Sequence, residues 1–351
     1  MSRIRFSVVI ILYNQKAFIA ECIESILNQS YKPYEIIIIN DGSTDGSEAI
    51  VESYQAKYPE MIRMFTQKNQ GEFMARVSGM RQVQGDYFLF MDSDDCLRGD
   101  SLAILYEEIC KTQVDMVAYN FTRSKSYDIG IYDYSDFISN KELKASVNIQ
   151  DYRRALCSSS RFNSMCTKCI RTACIKGQDI DKYGAGMSIG ADKIHSLITA
   201  DLINTVTIMN DSLYFYRLNP TSRMSKFKLQ DYDDHKRLLQ ATENYSDKWF
   251  DSQESAKLML EYKFQVLYFC VSTTMHKCKN WNETVHALDA LLKDNYWYSS
   301  LEAIISDRKE NDTCKEMVFL MALYKRNYAK MFGYYLLLKI KSYIVEKKQR
   351  Q

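Results

Sequence analysis

The sequence predicts an α/β protein, with a doubly wound, mostly parallel sheet over residues 1–228 and a helical appendage over residues 229–351. Up to about residue 121, short unbroken apolar runs alternate with segments whose apolar residues repeat at helical spacing. That is the pattern of strands buried on both faces and joined by crossover helices. Beyond Leu229 the pattern is densely helical without a convincing strand. At 351 residues the chain also exceeds the ~250 to 300 at which a single core stops growing, so two parts are expected.

The first run, Phe6 to Leu12, is rich in Val and Ile and bounded by polar residues, which suits a strand. Ile19, Cys22, Ile23, Ile26 and Leu27 then repeat at helical spacing, and Pro33 lies beyond the end, where a helix cannot continue. A second strand, Glu35 to Ile39, breaks at Asn40-Asp41-Gly42-Ser43, residues that favour turns. Ile50, Val51 and Tyr54 mark the next helix. A strand near Ile62 to Phe65, a helix near Glu72 to Val83 and a strand from Tyr87 to Met91 continue the alternation, which implies right-handed crossovers. A helix through Leu102, Leu105, Tyr106 and Ile109 and a strand from Met116 to Phe121 extend the sheet. From about Tyr127 to Gly186 the sequence, rich in Tyr, Ser and Asn, reads as irregular.

Apolar residues make up 46% and charged residues 26%, enough for a packed core and against disorder. A formal net charge of +2 gives no overall attraction to polyanions, so no nucleic-acid partner is expected. The apolar run after Arg3 and Arg5 stops at Leu12 without a small-residue cleavage site. No stretch reaches the ~18 to 20 apolar residues of a spanning helix, so a cytoplasmic protein, soluble or peripheral, is expected. Ten cysteines in this setting read as reduced, half-buried thiols.

In open parallel sheets, ligands bind outside the carboxyl ends of the strands. There the sequence places Tyr13-Asn14, Asp41-Gly42-Ser43 and Asp92-Ser93-Asp94-Asp95. Three acids within four residues repel one another unless something positive neutralises them. Carboxylates favour hard ions, Mg²⁺ or Mn²⁺, and a diphosphate would complete the coordination shell. The plainer alternative is an acidic turn capping the helix that begins near Gly99.

The order Val8-Val9-Ile10-Ile11-Leu12-Tyr13-Asn14, then Asn40-Asp41-Gly42-Ser43-Thr44-Asp45, then Asn69 with Gly71 and Ala75-Arg76, then Phe90-Met91-Asp92-Ser93-Asp94-Asp95 resembles family 2 of the inverting glycosyltransferases. Each motif alone is weak, and four in order are specific; the resemblance covers roughly Ser7 to Ser225. It implies a GT-A fold, the Rossmann-like doubly wound sheet of these enzymes, and a nucleotide diphosphate sugar, a UDP-sugar, as donor. By position it implies that Tyr13 and Asp41 meet the nucleotide base and that Arg76 lies near the base or diphosphate. Asp92 would contact the ribose or sugar, and Asp94 would hold the Mn²⁺ or Mg²⁺. Asn14 and Ser93 belong to the same donor site, and Lys168, in Asn163-Ser164-Met165-Cys166-Thr167-Lys168, resembles a family lysine near the diphosphate.

The family's catalytic base, the Asp of a Gly-Glu-Asp motif opening a helix, corresponds to Asp192 in Gly190-Ala191-Asp192. Tyr214-Phe215-Tyr216-Arg217 and Asn219-Pro220-Thr221-Ser222 resemble the usual sequel. The plainer alternative makes Asp192 a first-turn acid favouring the helix dipole. The sequence departs from the pattern at Ile11, where many relatives have Pro, and at Ala191, whose Glu counterpart would contact the acceptor. It also lacks the Trp often found just before Lys168. No Gln-x-x-Arg-Trp motif occurs, so transfer of one sugar per encounter is expected, to a saccharide or lipid-linked saccharide in surface polysaccharide or glycoconjugate synthesis. A non-catalytic sugar-nucleotide-binding module is the rival reading. A dinucleotide-dependent oxidoreductase is disfavoured, because the turn after the first strand, Tyr13 to Phe18, holds no glycine.

Cys157, Cys166, Cys169 and Cys174 lack the second Cys-x-x-Cys pair of a zinc ribbon. His195, three residues after Asp192, either orients the base or serves the core. Between Lys325 and Gln351, eight basic residues surround an apolar set of Phe332, Leu336, Ile340, Tyr343 and Ile344 with Glu346 the lone acid. That suits peripheral contact with an anionic membrane, or a docked helix with a solvated face.

Overall fold

The computed structural model describes residues 3–127, 130–132, 134, 137, 144–178, 180, 189–218, 228, 230–308 and 314–337. The chain divides into two compact units, Met1–Leu156 with Ser160–Asn219, and Cys157–Ser159 with Pro220–Gln351.

In chain order the first elements are β1 (Phe6–Leu12), α1 (Ile19–Leu27), β2 (Glu35–Asn40), α2 (Ser47–Lys57), β3 (Ile62–Thr66), α3 (Glu72–Gln82) and β4 (Tyr87–Asp92). They are followed by β5 (Cys96–Leu97), α4 (Ser101–Thr112), β6 (Met116–Thr122), β7 (Lys144–Val147), α5 (Ile149–Ser158), β8 (Lys168–Arg171), α6 (Thr172–Ile175), α7 (Ala191–Leu202) and β9 (Val206–Phe215). The strands form one sheet in the order β3-β2-β1-β4-β8-β6-β9-β5, with β7 also on β9. β1 pairs in parallel with β2 and β4. Both β1 and β2 are buried along their whole length, which is why they read as unbroken apolar runs. α3 packs on this central pair. Its Gly79 permits the approach, since a Cβ there would clash with Val9 Cγ1.

β8 runs antiparallel to both β4 and β6, and β9 runs parallel to β6. Hence β1, β2, β3, β4, β6 and β9 all point one way, and their carboxyl ends share one edge of the sheet. The fold is mixed α/β with a mostly parallel sheet, as expected from the sequence. The reading of residues 127–186 as irregular is corrected: β7, α5, β8 and α6 lie there. β8 has four residues, too few for a period, and it is a strand because β4 and β6 satisfy its backbone on both sides.

The second unit is helical among its described residues: α8 (Gln230–Trp249), α9 (Ser252–Lys277), α10 (Trp281–Lys293), α11 (Asn295–Arg308) and α12 (Lys315–Tyr324). Leu239, Leu267, Val271, Leu288, Leu301 and Leu320 meet in its core. Asp251 and Asn280 start α9 and α10 by accepting from backbone N–H groups of the first turn. Residues 328–337 are helical. There Met331 is buried while Phe332, Leu336 and Leu337 are exposed. The rest of the basic tail, residues 338–351 with Ile340, Tyr343 and Ile344, lies outside the described residues, as do Asn219, Pro220, Thr221 and Ser222.

Candidate active site

The carboxyl edge of the sheet gathers the polar residues. After β1, Tyr13 is 49% exposed and so open to a ligand. Asn14 follows with φ 52°, a left-handed conformation that Asn tolerates better than most residues. Its backbone N–H donates to Ser43 Oγ at 3.0 Å and its Oδ1 accepts from Thr44 N–H at 2.8 Å, which ties the β1 and β2 turns together. Asp41 is buried, and its carboxylate accepts from Gln67 Nε2 at 2.8 Å and from the N–H groups of Gln70 and Gly71 at 2.9 Å each. Much of its accepting capacity therefore fixes the loop that leads into α3.

Arg76, on α3, is the centre of the site. It is fully buried, and its guanidinium pairs with Glu72 at 2.5 Å, with Asp92 at 3.4 Å and with Asp192. Asp192 opens α7, whose entry is turned by Gly190 at φ 88°, and its Oδ1 also accepts from Met165 N–H at 3.2 Å. The acid closing β4 and the acid opening α7, 100 residues apart in sequence (192 − 92), are thus joined through one cation. Arg76 Nε has no hydrogen-bond partner among the described residues.

Around that cation the acids are in excess. Burial pushes Asp92 well above the usual carboxylate range; Arg76 opposes the shift, and Glu72, Asp95 and Asp192 add to it. For half-exposed Glu72 the pull of Arg76 is outweighed by partial loss of solvent and by Asp192, so its pKa is also raised. Burial lowers that of Arg76, yet Asp192 and Glu72 more than reverse this and hold it well above its ordinary value. Asp95 is buried and pushed up to about 7, against bonds from Tyr214 Oη at 2.6 Å and Arg217 N–H at 2.8 Å. Asp94 accepts from Gln15 Nε2 at 3.3 Å and, through its carbonyl, from Arg217 Nε at 2.7 Å. Ser93 is buried beneath them.

Residues 7–173 match the model of glycosyl transferase family 2. The match takes in β1 to β8, just under half of the chain. Among curated relatives, the glycosyltransferase GlyA of Streptococcus pneumoniae is 28% identical over 239 residues, 62% of this chain and 31% of its own length. The glycosyltransferase GlyG of the same organism is 27% identical over 223 residues, 62% of this chain and 72% of its own. The chain therefore spans about a third of GlyA and most of GlyG. Among solved structures, S. aureus TarS 1–349 in complex with UDP-GlcNAc superposes with a TM-score of 0.69 at 20% identity, covering 93% of this chain and 88% of TarS. At that identity the likeness is one of fold.

Within the matched segment, Lys168 is buried at the start of β8, and its ammonium donates to the carbonyls of Phe162, at 2.8 Å, and Ser164. Burial drives its pKa down to about 7, with Asp192 opposing. It thus secures the loop carrying Met165 rather than presenting an ammonium to the acids. Cys166 lies 3.9 Å from Arg76 Nη2, while Cys169 is in the sheet core. Among the described residues no three His, Cys, Asp or Glu are grouped to hold a metal by themselves.

Sequence reasoning gave no site role to Glu72 or Gln15, and noted Tyr214 and Arg217 only as part of the family's usual sequel to the base. For Glu72 the only signal is its i,i+4 spacing from Arg76, which any exposed helix shows. An aromatic wall was also missed: Phe121, at the end of β6, meets Tyr132 at 5.1 Å and Tyr216 at 5.7 Å. Burial and then Asp192 push the Tyr132 phenol up to about 12, so it remains protonated beside the candidate base.

His195 is buried, stacked on Phe73 at 4.1 Å, with Nε2 3.2 Å from the Phe73 carbonyl. It joins α7 to α3. Burial, then the charge of Arg76, pushes its pKa down to about 3, so it is neutral in the fold. A depressed histidine contributes stability that is present above its unfolded value of ~6.5 and lost as pH falls towards 3. Between pH 7 and 5 this group should cost about 2 kcal/mol of unfolding free energy. In urea titrations His195→Phe should show a correspondingly shallower acid limb, and equal slopes for the two proteins would refute the assignment.

Proposed function

We propose that the chain transfers a single sugar from a UDP-sugar to a hydroxyl acceptor with inversion at the anomeric carbon. The observation carrying this reading is the convergence of Asp192 and Asp92 on buried Arg76 at the carboxyl edge of the sheet, with Asp94 alongside. The reading is supported by the family 2 match and by the likeness of fold to TarS, whose structure holds UDP-GlcNAc. Asp192 accepts the proton of the attacking acceptor hydroxyl, work typically worth ~10² to 10⁴ in rate. Exposed Tyr13 stacks on the base, with Asn14 and Asp41 shaping its pocket. Arg76 fixes Asp192 and Asp92 in register, and Ser93 and Lys168 hold the backbone on either side.

An excess of acid supports a divalent cation whose shell a donor diphosphate would complete: Glu72, Asp92, Asp94, Asp95 and Asp192 outnumber the guanidinium groups of Arg76 and Arg217 beside them. Asp94, with Asp92, would hold Mg²⁺ or Mn²⁺, which when bound neutralises charge on the departing diphosphate. In a thermal-shift panel of nucleotide sugars, UDP-sugars with Mn²⁺ should raise the melting temperature, by ~2.7 kcal/mol of stabilisation at a hundredfold excess over Kd. Asp94→Ala should remove the part that depends on metal. If no nucleotide sugar stabilises the protein and none is hydrolysed, the reading fails.

The acceptor is a saccharide, free or lipid-linked, and the same proposal includes peripheral membrane contact. Exposed Phe332, Leu336 and Leu337 beside Lys330 support it. No described helix is long and apolar enough to cross a membrane. Flotation with anionic vesicles should carry the full chain but not Leu336→Glu/Leu337→Glu protein; equal flotation of both would refute the contact.

A further inference from the structure

We infer that Lys168 is a positioning residue for the candidate base: it shapes a backbone arch over residues 162–166 whose Met165 N–H turns the Asp192 carboxylate so that Oδ2, and not Oδ1, takes the acceptor's proton. The inference rests on the transferase reading of Asp192.

Side chains from three elements hold the carbonyls of the arch. Lys168 Nζ, at the start of β8, donates to Phe162 at 2.8 Å and to Ser164, which also accepts from Thr167 Oγ1 at 3.1 Å. Ser196 Oγ, on α7, donates to the Asn163 carbonyl at 2.7 Å, and Tyr119 Oη, on β6, donates to that of Cys166 at 2.9 Å. Connecting segments ordinarily turn such groups to water, which leaves their backbone free to move. Here β6, β8 and α7 each grip the segment, so the amide between the held carbonyls has a set direction. That amide is Met165 N–H, and it donates to Asp192 Oδ1 at 3.2 Å.

Two observations tie the arch to the base rather than to packing alone. The first is the choice of a lysine. Its side chain is buried, and among the described residues its ammonium meets carbonyls and no carboxylate. An aliphatic side chain would fill the same place without the loss of hydration, so the donors themselves are what the position requires. The second is the difference between the two oxygens of Asp192. Oδ1 accepts from both Arg76 Nη1 and Met165 N–H, whereas no hydrogen bond reaches Oδ2 among the described residues. An oxygen already bonded to a cation and an amide is the weaker base. In the transfer the acceptor O–H bond breaks and its proton passes to Oδ2. The new bond to the anomeric carbon replaces the one to the diphosphate, which departs with the electron pair. A slack arch would let the carboxylate swing, and a misplacement of ~1 Å can cost about 10²-fold in rate.

The test uses the full chain with UDP-glucose, UDP-galactose and UDP-N-acetylglucosamine as probes and water in the acceptor's place. Lys168→Met keeps the length of the side chain and removes its donors. It should lower kcat for donor hydrolysis about tenfold or more while the calorimetric Kd of the same donor stays within about twofold of native. Amide exchange over residues 162–166, followed by mass spectrometry, should be faster in this variant. Tyr119→Phe and Ser196→Ala, milder changes at other points of the arch, should each lower kcat about threefold, again at unchanged Kd. A lysine serving the diphosphate would instead raise Kd, and one serving stability alone would speed exchange without changing kcat; either result overturns the inference. Native-like kcat in all three variants overturns it too and leaves the transferase standing. A native chain that neither binds nor hydrolyses any of the three donors overturns the transferase reading, and this inference with it.

Discussion

Asp192→Asn is expected to abolish sugar transfer, by ~10³-fold or more, while leaving UDP-sugar binding within about twofold of native. The carboxamide has the shape of the carboxylate, and its oxygen can still accept from Arg76 and from Met165 N–H, the two contacts that place Asp192. The fold and the position of α7 are therefore kept, and only the ability to take up a proton is removed. Rates with labelled donor, set against calorimetric titration of the same donor with Mn²⁺, separate the two effects. A variant that transfers at the native rate would leave Asp192 as a helix-dipole acid and no more.

The second large effect is on stability. Arg76→Met should destabilise the fold by about 2 to 4 kcal/mol, because the cation lost is fully buried and three carboxylates depended on it. The upper part of the range for broken buried pairs does not apply, since Glu72, Asp92 and Asp192 are each a third to a half exposed and water takes up some of their charge. Glu72→Gln, at the outermost of these partners, should cost less than about 1 kcal/mol. Asp192→Asn made in the Arg76→Met background should restore part of the loss, with a coupling of about 1 kcal/mol or more in urea unfolding. If Arg76→Met costs no more than Glu72→Gln, the guanidinium does not hold the site together.

Much of this architecture was legible in the sequence, and the physical reason differs from part to part. β1, β2 and β4 are covered on both faces, so they appear as apolar runs, and the acids after β4 stood out because no other stretch breaks so sharply. β9 escaped notice because Asn210 and Asp211 interrupt it where burial lapses between two apolar halves. Asp192 was singled out through family resemblance alone; an acid in the first turn of a helix is too common to mark a base. That Lys168 turns to the carbonyls of Phe162 and Ser164 could not be read at all, since the direction of a long side chain is set by neighbours remote in sequence. Likewise Arg76 was placed near the donor, but its role as the shared counterion of Asp92 and Asp192 depends on how α3 and α7 meet.

The antiparallel strand between β4 and β6 has a consequence for how such a protein can change. The chain leaves β6 after Thr122, re-enters the sheet at Lys144 as β7 on β9, and then reaches β8, whose Lys168 pairs with Ala118, so the segment between β6 and β7 is anchored in the sheet at both ends. Doubling the length of the segment between Thr122 and Lys144 would add only ~0.6 kcal/mol of closure entropy and would leave the pairings of β6 and β7 as they are. Insertions between these two anchors can therefore remodel what lies beside Asp192 while the acids after β4 keep their places, which separates the evolution of what is recognised from the evolution of the chemistry.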